Sequence, residues 1–250
     1  MLDNKVVMVT GASSGIGRTA ALRFADCGAK VAVVARRQSE GEAVANQINQ
    51  LGGTGVFIKA DVAKEVEVKS AVECIVEKFG RLDLAFNNAG VSEPIGSLTE
   101  LTEANWNRVM DINLKGIWLS MKYQIPAMLS STGGGIVNMS SIYGQVATGM
   151  GVSAYVSSNH GVIGLTKAAA LEYADKNIRV NAVCPAWIPT PGNEEALSNP
   201  DVMEYAKSLH PMRRLGTQNE VAETVCWLLS ESASYISGQA ISVDGAYTAQ

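Results

Sequence analysis

Histidine is scarce: His160 and His210 are the only two. A Ser/His/Asp triad or a His-based metal centre would have to draw on one or both, so neither is expected. The four cysteines, Cys27, Cys74, Cys184 and Cys226, lie far apart and form no CxxC pair. That argues against a disulfide framework or a bound metal, and for a reducing, cytoplasmic setting. No apolar run reaches about 18 residues, so no membrane span is expected. The short apolar run after Met1-Leu2-Asp3-Asn4-Lys5 is too brief for a secretory leader. Charge of one sign is nowhere concentrated. The 20 basic and 24 acidic residues leave a net charge of −4, the opposite of the basic excess that marks a nucleic-acid surface.

What is present is a chain of 250 residues, 47% hydrophobic and 18% charged, which can bury a large core. Short β-branched runs begin at Val6, Val31, Val56, Leu82, Ile136, Ile178 and Ala240. Several lack polar alternation, as strands covered on both faces do. Helical patterns lie between them at about 15–27, 40–51, 64–79, 103–131, 152–175 and 218–230. Strand and helix alternate throughout, which predicts one α/β domain over 1–250 with a doubly wound, mostly parallel sheet. The irregular stretch at about 186–216 is too long for a plain connection and reads as a lid, with one short helix near Glu194–Ser208.

After the first strand the chain reads Thr10-Gly11-Ala12-Ser13-Ser14-Gly15-Ile16-Gly17. Glycines at a strand–helix turn let backbone N–H groups approach a pyrophosphate, and the helix N-terminus adds a favourable dipole. A carboxylate at the end of the second strand would bind ribose hydroxyls and repel a 2′-phosphate. The residues there are Arg36 and Arg37. Two guanidinium groups suit a phosphate dianion, so NADP(H) is expected in preference to NAD(H).

These residues resemble the short-chain dehydrogenase/reductase family, in its branch of about 250 residues. The resemblance runs the length of the chain. It is carried by Thr10–Gly17, Asp61-Val62, Asn87-Asn88-Ala89-Gly90, Asp111–Gly116, Asn138-Met139-Ser140-Ser141, Asn181–Pro185 and Val243-Asp244-Gly245. It implies a single-domain Rossmann fold with a seventh strand, and hydride transfer between a nicotinamide and a carbonyl or secondary alcohol. It further implies that Gly11, Ser13, Ser14, Gly15, Ile16, Gly17, Asp61, Val62, Asn88, Ala89, Gly90 and Pro185 hold the cofactor. Ile188 and Thr190 would contact the carboxamide, Asn113 would hold a relay water, Ser141 would bind the substrate oxygen, and Tyr155 would be the acid/base. Ser141 is preferred to Ser140 because its distance from Tyr155 is closer to the family spacing. Relatives commonly form tetramers through helices equivalent to 103–131 and 152–175 and the C-terminal strand.

The family pattern YxxxK reads Tyr155-Val156-Ser157-Ser158-Asn159 here. Asn159 keeps the position one turn from Tyr155 but not the charge. An amide can still bond ribose hydroxyls; it cannot lower the tyrosine pKa. His160 faces elsewhere on the helix, and Lys167 is roughly 18 Å on. Two readings follow: a dehydrogenase with altered or reduced activity, or a cofactor-binding protein with little turnover. A smaller departure is Ala186, where the family has glycine; a positive φ there would strain it. The lid, Ser92-Glu93-Pro94 and the small, mostly apolar stretch Gln145–Val152 should shape a pocket for a neutral ketone or alcohol, with Trp187, Met203 and Met212 contributing from the lid.

Overall fold

The computed structural model describes residues 1–250. Its first half runs Val6–Thr10 (β1), Gly15–Asp26 (α1), Lys30–Ala35 (β2), Gln38–Gln50 (α2), Thr54–Lys59 (β3), Glu65–Phe79 (α3) and Leu84–Asn87 (β4). Then come Glu103–Val109 (α4), Gly116–Leu129 (α5), Gly134–Met139 (β5), Ser153–Tyr173 (α6) and Ile178–Pro185 (β6). The chain closes with Glu194–Leu197 (α7), Pro200–Ser208 (α8), Gln218–Leu229 (α9) and Ala240–Val243 (β7). The seven strands form one parallel sheet in the order β3-β2-β1-β4-β5-β6-β7.

Alternation along β1 shows how the sheet is covered. Val7 and Val9 pack against Ala20 and Phe24 of α1, Val44 and Ile48 of α2, and Val225 of α9. Val6 and Met8 face the other way, towards Ile75 of α3, Met121 and Ile125 of α5, and Val162 of α6. Every β1 residue is buried, so both faces are apolar and the strand reads as a continuous run.

The strand order reverses between β1 and β4. That leaves a crevice beyond their carboxyl ends, where ligands bind in sheets of this type. Thr10 Oγ1 ties the two ends together, accepting from the backbone N–H groups of Asn88 (3.0 Å) and Ala89 (3.1 Å). Beneath the crevice a buried polar chain crosses the sheet. Gln124 and Asn87 exchange hydrogen bonds, Asn87 donates to Asn138, and Asn138 donates to Thr166. All four are fully buried, and each amide finds a partner, as buried polar groups must.

Two elements differ from the sequence reading. The expected helix at 103–131 is interrupted by a π-helical segment, Met110–Lys115, because the side chain of Asn113 is drawn out to the backbone of Val91. The single lid helix is two, broken before Pro200, where Asn199 caps α8 through its side chain (2.9 Å to the Asp201 N–H). Proline favours a first helical position and disfavours helix before it.

Candidate active site

A cleft of about 740 Å³ opens at the carboxyl ends of the strands. Gly11, Ser13, Ser14, Gly15 and Ile16 form one wall. Gly11 and Gly15 have φ of 65° and 56°, a conformation that side chains resist. Gly17 lies behind this wall rather than on it. A Cβ at Gly17 would collide with the Gly11 carbonyl (2.5 Å) and the Asn88 amide, so its role is to let the helix start press against the loop. Asn88 also spends its amide on structure, donating to the Thr10 carbonyl at 3.0 Å; Asn88, Ala89 and Gly90 nevertheless line the cleft.

At one end stand Arg36 and Arg37, with Asp61 and Val62 on the adjoining strand end. Arg37 donates to Ser13 (3.0 Å) and Ser14 (2.7 Å) and lies 3.3 Å from Glu40. Arg36 is 4.0 Å from Asp61 and mostly exposed. At the other end Pro185, Ala186, Trp187, Ile188 and Thr190 descend from β6 into the lid. Ala186 does not adopt a left-handed backbone, so the strain expected there is absent. The lid is pinned over the glycine loop: Asn193 bonds Thr190 and Ile188, and Gln218 of α9 donates to the Pro189 carbonyl (2.8 Å).

Between these ends lies Tyr155, in the first turn of α6. Its hydroxyl faces the side chains of Ser141 and Asn159. Burial pushes the phenol above its ordinary value, and those two hydrogen-bonding neighbours pull it down by less. Ser141 caps the short turn after β5, accepting from the Tyr143 N–H. Ser140 also lines the cleft, but its hydroxyl is spent on the Asn159 carbonyl, to which it donates at 3.1 Å. Asn159 is buried and lies behind the cleft wall, its Nδ2 donating to the Tyr155 carbonyl at 2.8 Å. Asn113 also lies behind the wall. Its amide exchanges two 2.8 Å bonds with the Val91 backbone, which holds the loop after β4.

The other expectations sort as follows. His160 is on the exposed side of α6, against the Val156 carbonyl, and Lys167 is exposed. His210 is buried beside Tyr247, outside the cleft. Cys184 is buried outside the cleft lining, and burial pushes its thiol up to about 11. Of Gln145–Val152 only Met150 and Val152 reach the cleft, and Met203 and Met212 do not. Ser92 and Glu93 reach the cleft as expected, whereas Tyr143 carried no warning in the sequence. Tyr143 accepts a hydrogen bond from the Trp187 indole (3.4 Å). Glu93, 5% exposed, takes the backbone N–H groups of Ala154 and Tyr155.

A family model described as Enoyl-(Acyl carrier protein) reductase matches residues 11–248. The chain is 46% identical over 248 residues to a cyclohexanol dehydrogenase of Acinetobacter sp. (strain SE19), covering 99% of this chain and 96% of that one. The chain belongs to the short-chain dehydrogenase/reductase family. A 2,5-dichloro-2,5-cyclohexadiene-1,4-diol dehydrogenase of Sphingobium indicum (strain B90A) is 40% identical over 250 residues, covering 99% and 98%. The crystal structure of levodione reductase superposes with a TM-score of 0.96 at 33% identity, covering 100% of this chain and 99% of that one. This short-chain dehydrogenase/reductase is therefore a hydride-transfer oxidoreductase, and its family uses a nicotinamide cofactor. The left-handed glycines, the cradle that a Cβ at Gly17 would fill, and the size of the cleft all fit such a cofactor. No helix of the chain is long and apolar enough to cross a membrane.

Proposed function

We propose that the protein interconverts a neutral alicyclic secondary alcohol and its ketone, with NADP(H) preferred to NAD(H). The observation that carries this reading is the meeting of Ser141 and Tyr155 in one cleft. Trp187, Ile95, Met150 and Val152 on the same cleft favour an uncharged ring. The names of the cyclohexanol and cyclohexadienediol dehydrogenase relatives support the same substrate class.

Arg37, held against Ser13 and Ser14, supports the NADP(H) preference, since guanidinium and hydroxyl donors together suit a 2′-phosphate. Ser13–Ile16 would receive the pyrophosphate, Asp61 and Val62 the adenine, and Ile188 and Thr190 the carboxamide. When bound, the nicotinamide supplies or receives the hydride. Ser141 donates to the substrate oxygen. Tyr155 gives that oxygen its proton in reduction and removes it in oxidation. Asn113 fixes the loop at Val91 and, in this reading, keeps a proton path open behind Tyr155.

Asn159 leaves Tyr155 without a neighbouring cation, and burial raises the phenol further. A raised phenol remains a proton donor but is a poor base, so reduction is the favoured direction and oxidation is impaired. A homotetramer in the cytoplasm completes the reading. Exposed Trp106, Trp118 and Leu171 on α4, α5 and α6 support the assembly, and four free cysteines suit a reducing compartment. The deciding experiment is steady-state reduction of cyclohexanone and related cyclic ketones with NADPH and with NADH. Reduction that is faster with NADPH supports the reading. Equal or better use of NADH overturns the cofactor preference, and tight NADPH binding without turnover across the panel favours the cofactor-binding alternative.

A further inference from the structure

Glu93 is a carboxylate on the cleft wall, almost wholly removed from water. Its Oε1 accepts from the Ala154 N–H at 2.7 Å and the Tyr155 N–H at 3.2 Å. Its Oε2 accepts only from that same Tyr155 N–H, at 3.1 Å. An ionised carboxylate offers about four acceptor positions, so Oε2 keeps one lone pair with no partner inside the protein. No Lys or Arg pairs with Glu93; the nearby Arg108 donates instead to the Ser92 carbonyl at 2.6 Å. The bonds to the first turn of α6 use three of those positions and leave one, on Oε2. Glu93 shares the cleft with Tyr155, Ile95, Met150 and Val152.

We propose that Glu93 is a specificity-determining residue that accepts a hydrogen bond from a second hydroxyl on the substrate ring and turns away ring carboxylates. This deepens the substrate class proposed above and rests on that reading. The chemistry is one of sign. A hydroxyl donates to the free lone pair of Oε2, whereas an anionic substituent meets a desolvated negative charge at close range. A monohydric ring alcohol leaves the lone pair unanswered. The preferred substrate is therefore a cyclic diol, or in the reverse direction a hydroxyketone.

The test compares cyclohexanol, the positional isomers of cyclohexanediol and 4-hydroxycyclohexanecarboxylate, with the wild type, Glu93→Gln and Glu93→Asp. Both kcat/KM with NADP⁺ and calorimetric binding to the NADP⁺-saturated protein are read. In the wild type one diol isomer should exceed cyclohexanol by about tenfold or more, the size of a charge-assisted hydrogen bond, chiefly through KM. Glu93→Gln should collapse that ratio and raise the carboxylate substrate relative to cyclohexanol. Glu93→Asp, which keeps the charge but draws it back, should still reject the carboxylate while losing diol preference. Any general effect of weakening the helix start falls on all three substrates alike and cancels in the ratios. Equal changes for all three would overturn the proposal and leave Glu93 a helix cap. Diol-selective binding with no turnover in either direction, neither alcohol oxidation at high pH nor ketone reduction with NADPH, would sustain Glu93 and sink the dehydrogenase reading; turnover without diol preference would do the reverse.

Discussion

Asn159 Nδ2 donates to the carbonyl of Tyr155, one turn back on the same helix, at 2.8 Å. The position that carries a cation in the family pattern is here an amide partly committed to its own helix. An ammonium about 5 Å from the phenol would stabilise the phenolate by about 3 kcal/mol at an effective dielectric near 20. That is about 2 pKa units.

Asn159→Lys should therefore raise alcohol oxidation near neutral pH by roughly 10- to 100-fold. The sign follows from the raised phenol. Oxidation needs the phenolate, so in the wild type it climbs with pH towards and beyond the ordinary tyrosine value of about 10. Reduction needs the neutral phenol, so it stays level through neutrality and falls only as the phenol ionises. Paired pH–rate profiles should show the oxidation limb moving to lower pH in the lysine variant, with reduction near neutrality changing far less. An unmoved oxidation limb would mean that the charge at this position does not govern Tyr155.

Tyr155→Phe and Ser141→Ala should each lower kcat by about 10²- to 10⁴-fold while NADPH still quenches protein fluorescence. Ser140→Ala should cost far less in turnover, because the Ser140 hydroxyl is spent on the Asn159 carbonyl. Single-turnover rates for the three variants read this contrast directly. A Ser140→Ala variant as slow as Ser141→Ala would reassign the substrate oxygen.

What the sequence made legible was whatever repeats locally. The alternation of strand and helix, the seven strands and the glycine loop all stand in short windows, because burial on both faces makes Val6–Val9 and Val31–Ala35 unbroken apolar runs. The illegible parts depend on partners far along the chain. Glu93 caps α6 across 61 residues, and nothing in Ser92-Glu93-Pro94 announces a helix start elsewhere. The buried chain from Gln124 to Thr166 is assembled from single polar residues of two helices and two strands, each unremarkable in its own window. The π-helical segment arises because Asn113 bonds Val91, a contact invisible to helical periodicity. The break before Pro200 is different: Asn199-Pro200 is a local capping signal, and a single helix over 194–208 overlooked it.

Arg37→Ala should separate the two cofactors. Charge-assisted hydrogen bonds contribute about 1.5–3 kcal/mol each, so the Kd for NADPH should rise by roughly 10- to 100-fold. The Kd for NADH should change little, since NADH lacks the 2′-phosphate that the guanidinium would meet. Fluorescence titration with both nucleotides measures this. Parallel loss of both would place Arg37 in support of the loop rather than in recognition of a phosphate.

Glu220 ties the lid to the core and makes that tie acid-sensitive. Its carboxyl is drawn down to about 2, first by the Arg214 guanidinium and then by the Thr217 N–H. With Thr217 it closes a capping box at the start of α9, the helix whose Gln218 holds the Pro189 carbonyl. A carboxyl depressed in the folded state stabilises fully above its unfolded value of about 4.3. That contribution is lost as pH falls from there towards 2. The side chain is 41% exposed, so screening keeps the contribution to about 1 kcal/mol. Glu220→Gln should lower Tm by about 2–4 °C near neutrality, with the gap to the wild type narrowing as pH falls below about 4. Thermal unfolding across that range measures it. A gap that is constant with pH would mean the carboxylate's charge contributes nothing, leaving the cap's hydrogen bonds to hold the lid.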